Sequence, residues 1–131
     1  MTKVVKVAVG VVLSANKVLL ARRKLDQHQG GKWEFPGGKI EADETTPDAL
    51  TRELKEECDI TATRMHPLIL VEHDYGDKKV SLDTYLVTDF EGEAKGLEGQ
   101  EVSWVDKHQL PGFDFPKANV AILDAIMNLS E

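Results

Sequence analysis

The sequence predicts an α/β protein in which a mixed β-sheet packs against helices. Two apolar runs near the start, 4–13 and 18–23, are typical of paired buried strands. A helical pattern at 47–57 and another after Pro116 each place apolar residues on one face. The elements therefore follow the order β, β, β, α, β, β, β, α, and the 131 residues are expected to form one domain.

The first half of the chain contains three predicted strands and the first helix. Val4 to Leu13 leads through a turn at 14–17 into Val18 to Arg23, as a β-hairpin would. Trp33 to Pro36 is a short strand, which we expect to stop at Gly37-Gly38. Thr46 as the cap and Pro47 as the first helical residue predict a helix that runs to Glu57.

The second half contains three more strands and the last helix. Leu68 to Asp74 and Val80 to Phe90 alternate about a turn at 75–78, and Val102 to Val105 follows a Gly-rich acidic loop at 91–101. The last helix begins near Pro116. Its apolar face is predicted to comprise Val120, Leu123, Ile126 and Met127, flanked by Ala121 and Ile122.

The composition limits the classes of partner. Sixteen Lys and Arg against 23 Asp and Glu give a net charge of -7, which disfavours a nucleic-acid polymer because polymer binding needs a basic surface. An anionic small molecule would have to arrive with divalent cations. The single cysteine, Cys58, excludes an intrachain disulfide framework and is expected to be a small apolar filler in a reducing cytosol.

The N-terminal segment could be read as a secretory signal, since basic residues precede a short apolar run. We reject that interpretation because the run is rich in valine and leads into a second apolar run through a hairpin turn. No stretch contains the roughly 18 apolar residues that a membrane span requires. The sequence therefore predicts a cytoplasmic monomer with no membrane partner.

Three carboxylates, on Glu53, Glu56 and Glu57, share one turn of the predicted helix. At 100° per residue, Glu56 and Glu57 lie about 60° and 40° to either side of Glu53. An ordinary acidic helix face in solvent has the same composition. Like charges at this spacing cost a few tenths of a kcal/mol per pair, so a cation is expected beside them.

The spacing around these carboxylates resembles the Nudix box, G-x5-E-x7-R-E-U-x-E-E-x-G-U, in which U is a bulky aliphatic residue. Five residues separate Gly38 from Glu44, and seven more separate Glu44 from Arg52. Only Asp59 departs from the pattern, where the family has glycine. Because Asp tolerates a left-handed backbone better than most residues, we expect local strain of about 1 kcal/mol and an intact site.

This resemblance implies the Nudix fold, an α/β/α sandwich, and a pyrophosphate-cleaving site that depends on Mg²⁺, with Mn²⁺ as a substitute. Hard cations prefer oxygen ligands, and a carboxylate near the cation can take a proton from water. Glu53 is also the implied general base, and Arg52 pairs with Glu44 to orient the cluster. The implied ligands are the Gly37 carbonyl with Glu53, Glu56, Glu57 and Glu98, the last of which could equally be an ordinary loop charge.

Beyond the box, further residues are spaced as in one group of this family: Arg22-Arg23, His28, the run WEFPGGKIE, the EGQ loop at 98–100, and Phe115-Pro116 followed by Ala118-Asn119. They resemble the MutT-type Nudix hydrolases, which remove pyrophosphate from oxidised guanine nucleoside triphosphates. In that group water attacks the β-phosphorus and releases the nucleoside monophosphate. Phe35 could stack on the base or merely pack in the core, and Arg23 could contact phosphate or the 8-oxygen. The implied substrate-binding residues are Arg23, His28, Glu34, Phe35, Pro36, Gly37 and Asn119.

Asn119 carries the substrate prediction. In 8-oxoguanine N7 bears a hydrogen, so an Asn side chain can accept from N7-H and donate to O6 at once. With unmodified guanine its carbonyl would face an acceptor, and such a mismatch can cost about 10⁴ to 10⁵ in selectivity. An exposed Asn in the first turn of the last helix is the alternative.

Two other functions fit the same residues. The enzyme could act on CTP, another canonical nucleotide, dihydroneopterin triphosphate or a sugar nucleotide, since these substrates would share the metal box. A Nudix module that binds nucleotide without turnover is less favoured because Arg52 and all three box carboxylates are present.

Overall fold

The fold is a mixed β-sheet between two helices, as the sequence predicts. The computed structural model describes residues 4–23 and 31–129. The strands are β1 (Val4–Ser14), β2 (Lys17–Arg22), β3 (Trp33–Glu34), β4 (Gly37–Lys39), β5 (Thr61–Asp74), β6 (Lys79–Glu91) and β7 (Val102–Asp106). The helices are α1 (Thr46–Cys58) and α2 (Val120–Met127), with short 3₁₀ turns at Lys107–Gly112 and Lys117–Asn119.

The sheet is built on β1, whose valine-rich run is buried on both faces. The strand order is β3-β2-β1-β6-β5, with β4 paired to β1 and β7 paired to β2. The pair of β1 with β6 is parallel, and the other pairs are antiparallel. This mixture requires apolar residues on both faces of β1, which is why its sequence reads as a continuous apolar run.

The two helices cover opposite faces of the sheet. Along β1, Val9 and Val11 belong to the core cluster that contains Ile122 and Ile126 of α2. Ala8 and Val12 belong to the cluster that contains α1, in which Cys58 is a buried apolar filler as predicted. Alternate residues of one strand therefore serve two cores, and this gives the α/β/α sandwich.

Several predicted boundaries were wrong. Thr45, not Thr46, caps α1, and its side chain accepts from the Asp48 N–H, while the Thr46 hydroxyl donates to Asp83. The short strand ends at Glu34, and Gly37-Gly38 do not stop strand structure but begin β4. Pairing with β1 supplies the hydrogen bonds that make this second strand possible.

The later elements also differ from the predicted pattern. β5 begins at Thr61, seven residues before the predicted Leu68, because it is an edge strand that accommodates polar residues, Pro67 and bulges. The last helix begins at Val120, after a 3₁₀ turn, and not near Pro116 as predicted. In α2, Val120 and Met127 are exposed, and Ile122 and Ile126 are buried.

No helix within the described ranges has both the length and the apolar character that crossing a membrane would need.

Asp59 ends α1 in the left-handed conformation that the motif predicts, with φ 60° and ψ 32°. Its backbone N–H donates to the carbonyls of Leu54 and Lys55, and its side chain pairs with exposed Lys55.

We predict that Asp59→Gly raises the free energy of unfolding by about 0.5–1 kcal/mol, because glycine removes the Cβ strain. Asp59→Ala, the control, should lower it. Urea unfolding measures both, and a less stable glycine variant would contradict this account.

Candidate active site

A cavity of about 380 Å³ lies where strands of the sheet meet α1 and the turn before α2. Its apolar wall consists of alternate residues of β1 together with Val80 and Leu82 of β6. Polar side chains from positions 23 to 119 complete the lining. The lining comprises Val5, Val7, Val9, Arg23, Glu34, Phe35, Gly37, Gly38, Lys39, Glu53, Glu57, Tyr75, Lys78, Val80, Leu82, Glu98, Pro116, Ala118 and Asn119.

Glu53 and Glu57 enter the cavity from one face of α1. An adjoining stripe of the same helix anchors it to the core through buried Leu50 and Leu54. The backbone of β4 approaches Glu53 closely, since a Cβ on Gly38 would lie 2.3 Å from the Glu53 carboxyl carbon. A side chain there would displace the Glu53 carboxyl group. Its neighbour Gly37 is constrained more strictly, because a Cβ would lie 2.0 Å from the backbone carbonyl oxygen of Ala8.

The two carboxyl groups are held against each other in a poorly solvated place. Glu57 is only 9% exposed. Burial, followed by the nearby charges of Glu53 and Glu34 and a hydrogen bond with Glu53, raises the pKa of Glu57 to about 9. Without a cation, burial and the neighbouring carboxylates therefore favour the protonated form of Glu57.

Arg52 links three carboxylates of the box, of which only Glu56 is exposed. It makes a two-pronged contact with Glu44, Nε to Oε2 at 2.8 Å and Nη2 to Oε1 at 2.9 Å. Its Nη1 also donates to Glu53 at 3.0 Å and to Glu56 at 3.2 Å. These contacts raise the pKa of Arg52, and the hydrogen bond from Arg52 lowers the pKa of Glu44 to about 2.

Glu56 and three other predicted residues lie outside the cavity lining. The Glu56 side chain is 55% exposed and faces Arg52, because it lies on the far side of Glu53 from Glu57. Glu44 and Arg52 support the carboxylates from outside, and the Pro36 carbonyl accepts from the Gly10 N–H. His28, also predicted, lies outside the described residues.

Glu98 reaches the cavity from the loop between β6 and β7. The Gln100 side chain fixes this loop, since its amide donates to the Glu57 carbonyl at 3.0 Å and accepts from the Glu98 N–H at 2.9 Å. The Leu97 N–H donates to the same Glu57 carbonyl at 2.9 Å. The loop is thereby bound to the end of α1 that carries the buried carboxylate.

The carboxylates that line the cavity are suitable ligands for a hard divalent cation. Within residues 4–23 and 31–129, no three acidic, His or Cys side chains converge as a ready-made metal centre. The donor set is nevertheless all oxygen, with Glu53, Glu57 and Glu98 lining one cavity, and a cation that displaced the proton would relieve the repulsion between the carboxylates.

Another wall of the cavity carries Asn119, which is 9% exposed rather than on the open surface. Its backbone is already helical, at φ −83° and ψ −11°, and its side chain makes no capping hydrogen bond with α2. Phe35 is buried in the core and stacks on Phe115, with ring centroids 5.3 Å apart, although it also lines the cavity.

Arg23 and Glu34 form an ion pair at the cavity, in which Arg23 Nη1 donates to Glu34 Oε1. Burial raises the pKa of Glu34, and the Arg23 guanidinium opposes that rise. Four polar residues of the site were missed from sequence: Lys39, Tyr75, Lys78 and Gln100. Tyr75 and Lys78 bound a predicted turn, but nothing local indicates that this turn meets the last helix.

Similarity to known proteins agrees with this geometry. The NUDIX domain family matches residues 8–125. An 8-oxo-dGTP diphosphatase from Escherichia coli (strain K12) is 38% identical over 128 residues, which cover 97% of this chain and 99% of that protein. A CTP pyrophosphohydrolase from the same strain is 32% identical over 127 residues, covering 97% and 94%.

Comparison with solved structures agrees with the sequence similarity. A chain from a structural study of MutT from Aliivibrio salmonicida and Vibrio cholerae has a TM-score of 0.83 and 35% identity, covering 95% of this chain and 98% of that one. The family match over residues 8–125 includes the carboxylate helix and the turn that carries Asn119. The chain therefore belongs to the Nudix family and is a hydrolase of the MutT type.

Proposed function

We propose that this protein hydrolyses 8-oxo-dGTP, and 8-oxo-GTP as a related substrate, in a reaction that depends on Mg²⁺ and removes oxidised nucleotides from the pool. One observation carries the proposal: the carboxylates of α1 and the buried amide of Asn119 line the same cavity. A nucleoside triphosphate needs both, one for its phosphates and one for its base. The 8-oxo-dGTP diphosphatase relatives support this substrate.

In the proposed reaction water attacks the β-phosphorus. A bond forms between the water oxygen and that phosphorus, and the bond to the oxygen bridging the α- and β-phosphates breaks. The products are the nucleoside monophosphate and pyrophosphate. The proton from water passes to a carboxylate, for which we propose Glu53, with Glu98 as the alternative.

The proposed metal ligands are the Gly37 carbonyl and the carboxylates of Glu53, Glu56, Glu57 and Glu98. Mg²⁺, or Mn²⁺ in its place, supplies positive charge against phosphate oxygens and makes coordinated water more acidic. Arg52 and Glu44 are proposed to orient the carboxylates, since their two-pronged contact fixes the guanidinium that touches Glu53 and Glu56. Lys could not reproduce this geometry.

Recognition of the base is assigned to Asn119. Its side chain does not cap α2, so its amide can accept from N7-H and donate to O6 of 8-oxoguanine. Arg23, paired with Glu34, is proposed to contact phosphate or the 8-oxygen. His28, Phe35, Pro36 and Gly37 complete the proposed substrate-binding set.

Cleavage of CTP is the second candidate, favoured by the CTP pyrophosphohydrolase relative. An Asn amide could also satisfy the donor and acceptor edge of cytosine. Both candidates use the same phosphate machinery and differ only at the base. That residues 1–131 act as one domain, as a cytoplasmic monomer, is also part of the proposal.

We predict that, with Mg²⁺, kcat/KM for 8-oxo-dGTP exceeds that for dGTP by about 10⁴, and that chelation of the metal abolishes turnover. Asn119→Ala should mainly erode the preference, because it removes the group that distinguishes N7-H from N7. Pyrophosphate release from a panel of nucleotides measures this.

Asn128→Ala is the matched control, since Asn128 ends α2 and donates to the Asp124 carbonyl away from the cavity lining. It should leave the preference unchanged. Equal KM values for 8-oxo-dGTP and dGTP in the wild-type protein would defeat the specificity claim, and a preference for CTP would favour the second candidate.

Glu57→Gln should lower kcat by about 10² to 10⁴, because it removes one charge from the proposed metal site with little change in shape. Steady-state kinetics and Mg²⁺ titration measure the loss. Glu72→Gln, at an exposed position of β5, is the control and should be neutral. Normal turnover by Glu57→Gln would refute the metal role.

Glu44→Gln should lower activity about 10- to 100-fold, because it releases Arg52 from its two-pronged contact. It should also destabilise the fold in a pH-dependent way. The pKa of Glu44 is lowered to about 2 from 4.5, so its stabilising effect is present above about pH 4.5 and is lost as the pH falls towards 2. Denaturant unfolding of both proteins between pH 7 and pH 3 tests this, and a stability difference independent of pH would contradict it.

A further inference from the structure

The Tyr75 hydroxyl is hydrogen-bonded to the segment that carries Asn119. It accepts from the Ala118 N–H at 3.0 Å, across 43 positions of sequence. Tyr75 follows β5, and Ala118 lies in the 3₁₀ turn Lys117–Asn119 that precedes α2. One hydrogen bond therefore joins two separate walls of the cavity, immediately beside the residue assigned to the base.

The turn that holds Asn119 is short and is bonded locally along its backbone. It is three residues long, and its own backbone bonds are those from the Asn119 N–H to the Pro116 carbonyl and from the Val120 N–H to the Lys117 carbonyl. The Ala118 N–H is one of the amides that the start of a helix leaves without an intrahelical partner. Ala118 is buried, so loss of its acceptor would favour a shifted turn.

Tyr75 is itself held firmly in place. Its N–H donates to the Lys78 carbonyl at 2.9 Å, and the Gly76 N–H donates to the Asp74 carboxylate at 2.8 Å, which closes the turn between β5 and β6. Its ring packs edge-on against His73, with centroids 4.5 Å apart. These contacts hold the ring, and with it the hydroxyl, in one position.

We propose that Tyr75 is a positioning residue for base selectivity: through the Ala118 N–H its hydroxyl fixes the turn that aims the Asn119 amide at the base. This inference rests on the proposed function, since it assigns Tyr75 a role in the discrimination attributed to Asn119. Tyr75 acts on the orientation of a neighbour and takes no part in phosphate cleavage.

Tyr75→Phe tests the inference because it removes only the hydroxyl. We expect the preference for 8-oxo-dGTP over dGTP to fall about tenfold, a change of about 1.4 kcal/mol, mainly through a higher KM for 8-oxo-dGTP. The kcat values should change less than about twofold. Amide hydrogen exchange at Ala118 should become faster. Tyr85, the other tyrosine of the chain, packs against the core cluster that contains α1. Tyr85→Phe is therefore the control and should change none of these quantities.

A double-mutant cycle separates positioning from a general structural effect. In an Asn119→Ala background, Tyr75→Phe should no longer change the preference, because the group that it positions is absent. Equal effects of Tyr75→Phe with and without Asn119 would overturn the inference, as would an unchanged preference or unchanged Ala118 exchange in the single variant. A wild-type protein without any preference would instead reject the proposed function, and the inference with it.

Discussion

The buried contact between Glu53 and Glu57 is the constraint on which the site depends. Two carboxyl groups on adjacent turns of α1 are pressed together beneath the backbone of β4, where solvent cannot separate their charges. A cation beside them would relieve the repulsion between their charges. The glycines of β4, the Arg52 network and the Gln100 contact are all arranged around this pair, and each keeps it oriented towards the cavity.

The sheet connects this charged pair to a recognition surface that can be varied separately. Because β1 serves both cores, α1 brings its carboxylates to the cavity while the turn before α2 brings Asn119. In the proposed function the carboxylates act at the phosphates, whereas Asn119 meets the base. A shared phosphate site with a separate base contact agrees with similarity both to a relative named for 8-oxo-dGTP and to one named for CTP.

The sequence was informative where spacing determines geometry. The box predicted the position of α1, its buried face, and the left-handed residue at Asp59. The sequence was less informative where contacts with other elements determine the local structure. Thr45 is the cap in place of Thr46, whose hydroxyl donates to Asp83, and Glu56 pairs with Arg52 outside the cavity lining. The bonds of Tyr75 and Gln100 each join positions 43 apart, and no local pattern encodes them.

The central claim is that the acidic pair holds a divalent cation against a triphosphate whose base meets Asn119. A crystal structure with Mg²⁺ and a non-hydrolysable 8-oxo-dGTP analogue tests it most directly. The account predicts metal density bound by Glu53, Glu57 and the Gly37 carbonyl, with the base edge on the Asn119 amide. A cavity that stays without metal at saturating Mg²⁺, or glutamates turned into bulk solvent, would contradict it.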